Sequence, residues 1–322
     1  MSLTDVLSAA SKRWSGPRDE AGILDPFTYI ASHPGNGVRE HLLSAFNLWM
    51  DVPQAEMEII GKVVGMLHNA SLMLDDIEDS SQLRRGKPAA HTVYGIPLTV
   101  NAATYIHVMV YQELSHLGSH RREYRDFITA VTGCIIEELG CLHYGQGLDI
   151  IWRDSFRCPT EAEYIDMVKN KTGGLLRIGV KLMMACSTAN LDKDYVTLVD
   201  LIGVFYQIRD DYLNLRSPIY SANKGFAEDL EEGKFSFPIV HGVQANTSNP
   251  LILDVLKNRP AMLTLKTEVI QYLEHETKSF DYTVSVLDAL QVQIGKEIQA
   301  LGGNMELSTI MDVLHVDDQT LN

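Results

Sequence analysis

HNASLMLDDIEDSSQLRRGKPAAH, residues 68–91, is the stretch from which the rest of this chain can be read. An apolar run, Leu72-Met73-Leu74, leads straight into Asp75, Asp76 and Asp79, and Arg84 and Arg85 follow within two helical turns. At about 3.6 residues per turn, Asp75 and Asp79 stack on one helix face with Asp76 beside them. The three carboxylates are therefore expected to point into nearly the same space.

Carboxylates that close repel one another and raise one another's pKa, so the cluster calls for a cation that the lone helix does not supply. All-oxygen ligands select a hard ion, Mg²⁺ first. Magnesium keeps several waters and is held by one or two carboxylates plus substrate phosphate oxygens, which suits carboxylates followed by arginines. The competing reading of such a motif is a solvated acidic face; the apolar lead and the trailing Arg pair weigh against it. GVFYQIRDDYLNL, residues 203–215, repeats the chemistry: Asp210 and Asp211 are adjacent, Asn214 stands where a third Asp would, and Gln207 lies one turn before them.

DDIED with LRRG, KTGG at Lys171 to Gly174, FYQIRDD, and KGFAEDLEEGKFSFPIVH at Lys224 to His241 together resemble the trans-prenyl diphosphate synthases, most closely the fungal geranylgeranyl diphosphate synthases. The resemblance runs from about Ile23 to about Leu314. It implies an isoprenoid-synthase-type helical bundle and a Mg²⁺-dependent condensation of isopentenyl diphosphate with an allylic diphosphate, giving geranylgeranyl diphosphate. It also implies that Asp75, Asp79 and Asp210 hold the metal, three ions once substrate is bound, with Asp76, Asp211 and Asn214 in support. Asp75, Asp76, Asp79, Arg84, Lys171 and Asp210 would then carry catalysis.

The same resemblance puts the isopentenyl diphosphate at Arg39, His68 and Arg85, and the allylic diphosphate at Arg84, Lys171, Thr172, Gln207 and Lys224, with Lys234 at the mouth. HPGNGVRE, residues 33–40, departs from the family pattern GKxxR: Arg39 matches, but Asn36 stands where the Lys belongs. One lost charge-assisted contact costs roughly 1.5–3 kcal/mol, about tenfold to a hundredfold in affinity. Ala70 and Ser71, one turn before Asp75 and roughly on its face, are small and leave room for a deep pocket below the aspartates. His107, Val108 and His143 are expected near its floor, and Gln146 and Asp149, in GQGLD, are expected to orient the metal's ligands.

Apolar spacing is helical nearly throughout, with no sustained alternation of period two. It predicts helices near 39–50, 56–80, 97–118, 122–149, 161–187, 192–214, 235–246, 262–279, 281–301 and 304–314. Breaks fall at Pro and Gly positions such as Gly86-Lys87-Pro88, Cys158-Pro159 and Gly302-Gly303. No Ser/Gly linker, repeat or low-complexity run divides the 322 residues. The expectation is one all-α domain, 1–322, of ten or more helices around a central cavity, with 1–22 a loosely ordered N-terminal segment.

Forty-two acidic against 27 basic residues give a net charge of −15, which argues against nucleic acid or an anionic membrane as the main partner. A phosphate-rich substrate must then be met by locally placed bases and metal ions. Four cysteines show no metal spacing, and no window approaches the roughly 18 apolar residues of a membrane span. A cytoplasmic protein without stable membrane insertion is expected, and the family resemblance adds a homodimer or larger homo-oligomer. Two other functions compete. A class I terpene cyclase would carry an N-D-x-x-S-x-x-x-E second motif, which QIRDDYLNL lacks. A regulatory partner subunit of a prenyl synthase would fit a decayed isopentenyl site at Asn36 but not two intact carboxylate clusters.

Overall fold

In a computed structural model of the protein, residues 20–33, 35–217, 226–258 and 263–316 are described, together with Thr4, Asp5 and Ser8. The expected looseness of 1–22 thus falls almost wholly outside the described residues. Among them stand fifteen helices and one two-stranded hairpin. The first half comprises α1 (Ala21–Ala31), α2 (Val38–Met50), α3 (Gln54–Glu78), α4 (Ala90–Tyr94), α5 (Ile96–Leu114) and α6 (Tyr124–Ser155). The second comprises α7 (Glu161–Lys171), α8 (Gly173–Cys186), α9 (Val196–Arg216), α10 (Glu228–Glu232), α11 (Phe237–Ala245), α12 (Leu251–Asn258), α13 (Leu263–His275), α14 (Ser279–Ala300) and α15 (Met305–Val313).

The all-α expectation holds. Four helices, α1, α4, α10 and α12, went unread because they are short or interrupted by polar residues. α3 shows why the longer ones were legible: Ile60, Val63, Val64, Leu67, Ala70 and Met73 recur at three- and four-residue steps, and all are buried. That stripe packs on α5 and α8, while α6 packs on α7 and α8, and α9 on α8 and α14. Each fully buried Leu, Ile or Met of this kind contributes about 1.5–3 kcal/mol relative to exposure. The buried apolar residues form one cluster that runs from Ile30 to Val316.

Two local features position the site. The single helix expected over 161–187 is broken at Thr172: α7 begins with a capping box in which Thr160 and Glu163 satisfy each other's backbone N–H groups, and α8 starts at Gly173. Close approach favours glycine at this junction: a Cβ on Gly203 of α9 would lie 3.1 Å from Gly173 Cα, and one on Gly174 would lie 3.2 Å from Glu138 O. α6, α8 and α9 therefore meet closely at Gly173-Gly174, immediately after Lys171-Thr172. The other feature is the hairpin β1 (Leu83–Arg84) and β2 (Lys87–Pro88), antiparallel with Arg84 opposite Lys87. Its two-residue turn has positive φ at both positions, Arg85 at 54° and Gly86 at 72°, the geometry that matches strand twist. Glycine takes it freely; Arg85 is held there while its guanidinium donates to the His33 carbonyl.

Candidate active site

α3 carries the first carboxylates, and the hairpin folds Arg84 back onto them. Arg84 Nε donates to Asp76 Oδ1 at 2.7 Å and Nη2 to Asp75 Oδ2 at 3.0 Å. Burial alone would lower the Arg84 pKa, but Asp76 and Asp75 outweigh it and hold the guanidinium above its ordinary value. Asp76 is fully buried and borders neither cavity described below. It is an anchor for Arg84, which corrects the expectation that three carboxylates share one space. A step of one residue turns a helical side chain by about 100°, and that turns Asp76 into the core while Asp75 faces out.

α6 lies opposite and meets the acids with a strip of polar side chains. Gln146 Nε2 donates to Glu78 Oε2 at 2.8 Å and to Asp75 Oδ1 at 3.3 Å. Asp149 accepts from Lys171 Nζ at 2.6 Å, and the same ammonium lies 3.6 Å from Asp75 Oδ1. Arg153 Nη1 donates to Asp79 Oδ1 at 2.7 Å. Burial disfavours the ammonium of Lys171, yet Asp149 and Asp75 hold its pKa above the ordinary lysine value. Burial, and then the neighbouring Asp75, push the Asp79 pKa well up.

The second cluster divides in the same way. Asp210 faces the cavities. Asp211, 1% exposed, is the hub of a buried network: it accepts from Gln207 Nε2 at 2.8 Å, Phe237 N at 2.8 Å and Lys234 Nζ at 3.3 Å, and from the Tyr164 hydroxyl. Asn214 is buried and its Oδ1 accepts the backbone N–H of Asp229 at 3.1 Å. Neither residue borders a cavity, so direct support of a metal by Asp211 or Asn214 is corrected: both tie α9 to the α10–α11 segment.

Two cavities share a wall here. One, about 260 Å³, is lined by Asp75, Asp79, Lys171, Gln207, Glu232 and Lys234 among others. The second, about 460 Å³, is lined by Asn36, Arg39, Arg85, Leu176, Ile202 and Gly203 among others. His68, Leu72, Arg84, Thr172, Tyr206 and Asp210 border both. The larger is bordered by Gly37, whose left-handed φ of 68° precedes the first turn of α2, where N–H groups have no partner within the helix. His68 sits among Arg39, Arg84 and Arg85; burial, then these charges, push its pKa down to about 3, so the ring is neutral. Thr172 Oγ1 donates to Gln207 Oε1 at 2.6 Å, linking the α7–α8 break to α9. Lys224 lies outside the described residues.

Of the residues expected around a growing chain, Ser71 and His143 border the carboxylate cavity, and the His107 ring lies 5.7 Å from that of His143, centroid to centroid. Ala70 and Val108 do not belong there. Ala70 is buried in the core stripe of α3, and Val108 is 56% exposed on the outer face of α5. Sequence reading gave no role to Tyr206 or Arg153. Tyr206 is one turn before Asp210 on the same face, a signal that was available. Arg153 is one turn after Asp149, but α6 runs on to Ser155, beyond the helix end expected near 149.

Asp75, Asp79 and Asp210 thus offer oxygen ligands toward one cavity, although among the described residues no three His, Cys, Asp or Glu side chains are gathered to enclose an ion by themselves. That pattern fits a hard cation completed by water and phosphate oxygens. Residues 20–273 match the Polyprenyl synthetase family. The chain is 46% identical over 314 residues to geranylgeranyl pyrophosphate synthase AN1592 of Hericium erinaceus, covering 92% of this chain and 93% of that protein. It is 45% identical to the geranylgeranyl pyrophosphate synthase of Mucor circinelloides f. lusitanicus, with 92% and 93% covered, and 44% identical to IDS-like terpene synthase 1 of Melampsora lini, with 94% and 91% covered. With two confluent cavities, one edged by carboxylates and lysines and the other by arginines, and with this likeness over nine-tenths of its length, the chain belongs to the polyprenyl synthetase family.

Proposed function

We propose that this protein condenses isopentenyl diphosphate with an allylic diphosphate and carries the product to geranylgeranyl diphosphate. The observation that carries the reading is the shared wall of the two cavities at His68, Tyr206 and Asp210, which brings a cation-lined pocket against a carboxylate-lined one. In the smaller cavity Asp75, Asp79 and Asp210 would hold Mg²⁺, which supplies charge neutralisation for the leaving diphosphate. Lys171, Arg84 and Lys234 add fixed positive charge where negative charge develops. The allylic C–O bond breaks, the isopentenyl double bond supplies the electron pair for the new C–C bond, and the proton lost in forming the product double bond passes to the departing diphosphate. No side-chain nucleophile is needed. Leu72 and Leu175, which border both cavities, wall the meeting point with hydrocarbon and would keep water from the cation.

Arg39, Arg85 and the N–H groups that open α2 would grip the isopentenyl diphosphate. His68, being neutral, offers one N–H without adding charge. Ser71, His143 and the adjoining His107 would bound the chain pocket. A homodimer would suit the exposed Ile96, Val100 and Val108 of α5 and Ile136, Tyr144 and Ile151 of α6, which light scattering would detect. No helix of the described residues is long and apolar enough to cross a membrane, and the four cysteines are free thiols, which fits a reducing, cytoplasmic setting.

A second reading turns on Asn36: with one cation fewer at the isopentenyl cavity, the chain would serve as a catalytically weakened partner subunit, and a class I cyclase, which lacks support in QIRDDYLNL, is less favoured still. The test is a product assay with Mg²⁺, labelled isopentenyl diphosphate and C5, C10 and C15 starters, beside Asn36→Lys. A C20 diphosphate that disappears with chelator is expected, with the isopentenyl KM about tenfold or more lower in Asn36→Lys. Cyclised hydrocarbon from the allylic substrate alone, or no extension by either protein, overturns the synthase reading.

A further inference from the structure

The mechanism above leaves Arg153 unused, although it is a charged side chain only 7% exposed that stands behind Asp79, a lining residue of the carboxylate cavity. We propose that Arg153 is a positioning residue for Asp79, holding one carboxylate oxygen so that the other stays turned to the cavity for the metal. This role rests on Asp79 being a metal ligand.

Asp75 and Asp79 differ in what fixes them. Asp75 lies inside α3 and is met by Arg84 on one oxygen and by Gln146 and Lys171 on the other. Asp79 is the C-cap of α3, past the last full turn, where backbone restraint weakens. The side-chain hydrogen bond seen on Asp79 is the 2.7 Å bond from Arg153 Nη1 to Oδ1. Asp75 and Glu232 lie near enough to repel Asp79. Without the guanidinium, that repulsion and the freedom of a helix end would swing the carboxylate from the cavity. With it, one oxygen is occupied, and a carboxylate keeps lone pairs on the other for a hard cation. Arg153 is itself braced, its Nε donating to Asp154 Oδ1 at 3.1 Å. An arginine suits the task because its planar fork meets two carboxylates at once and stays charged at every working pH.

The same strip of α6 presents Gln146 to Asp75 and Glu78 and Asp149 to Lys171, so Arg153 extends an aligned edge by one turn to the third acid. Partners of this kind are worth about 10–100-fold in metal affinity.

The test is calorimetric titration of Mg²⁺ into metal-free protein in the presence of inorganic pyrophosphate, which needs no turnover. Arg153→Gln is expected to raise the Mg²⁺ Kd about tenfold or more, Arg153→Lys to recover part of the loss, and the isopentenyl KM at saturating Mg²⁺ to stay within about twofold because Arg39 and Arg85 lie in the other cavity. Arg153→Lys keeps the buried charge and carries the test alone if the glutamine variant does not fold, with a Kd rise of at least about threefold expected from its lost fork geometry. Wild-type affinity in the variants would overturn the role of Arg153. A wild-type protein that takes up no Mg²⁺ with pyrophosphate would overturn the metal reading and this role with it.

Discussion

Gly145 gives a direct way to move Lys171, a lysine of the carboxylate cavity, without touching its side chain. It lies on α6 where that helix crosses the end of α7, and a Cβ built there would sit 2.5 Å from Lys171 N and 2.9 Å from Met167 O. Both contacts are backbone, so no rotamer change relieves them. Gly145→Ala therefore opens the α6–α7 contact by about 0.9 Å to bring the closer pair to 3.4 Å, the lower edge of ordinary contact. Overpacking of this kind costs about 1–3 kcal/mol, or roughly 1.5–5 °C in Tm for a chain of this size. Lys171 is the last residue of α7, and its Nζ is 2.6 Å from Asp149 Oδ2. A displacement near 1 Å is enough to lower kcat by about a hundredfold. Gly147→Ala, two residues on, meets nothing within 4 Å and is expected to be neutral or stabilising by up to about 1 kcal/mol. Scanning calorimetry and steady-state turnover measure both variants. If Gly145→Ala matched Gly147→Ala in Tm and kcat, the close approach of α6 to Lys171 would be refuted.

Two further outcomes follow from buried groups. Tyr164→Phe removes the hydroxyl that donates to Asp211 and leaves that carboxylate with Gln207, Lys234 and Phe237 N; a loss of about 1.5–3 kcal/mol in urea unfolding is expected, and no loss would refute the hub role of Asp211. His68, with its pKa pushed from about 6.5 down to about 3, binds fewer protons folded than unfolded between those values, so its contribution makes stability fall as pH drops through that window. The Tm of the wild type should then fall more steeply than that of His68→Gln between pH 7.5 and 5, and parallel slopes would refute the burial of a neutral ring.

Much of the fold was legible because a helix writes its buried face into the chain at three- and four-residue steps, as Ile60, Val63, Leu67, Ala70 and Met73 do in α3. The hairpin Leu83–Pro88 was missed because two-residue strands leave no alternation to count; its turn residues, Arg85-Gly86, were the surviving trace. Within the site, Asp75, Asp79, Lys171, Gln207 and Asp210 all border the carboxylate cavity, as their motif types suggested. The three members of the clusters that fail to do so, Asp76, Asp211 and Asn214, are polar residues whose neighbours in sequence look the same as theirs.

Sequence alone determined the chemistry available: carboxylates at helical spacing, paired arginines, a Lys-Thr before two glycines, and one Asn where a lysine would be expected. Those facts are local, and local spacing fixes which residue types share a helix. Tertiary structure decided which of two adjacent aspartates faces the cavity and which is paired in the core, because that depends on how α3 and α9 are rotated against their neighbours. It also decided that Arg153 reaches Asp79 across 74 positions of chain, and that Arg84 spans Asp75 and Asp76. Contacts between helices follow from the packing of whole faces, and no motif a few residues long encodes them.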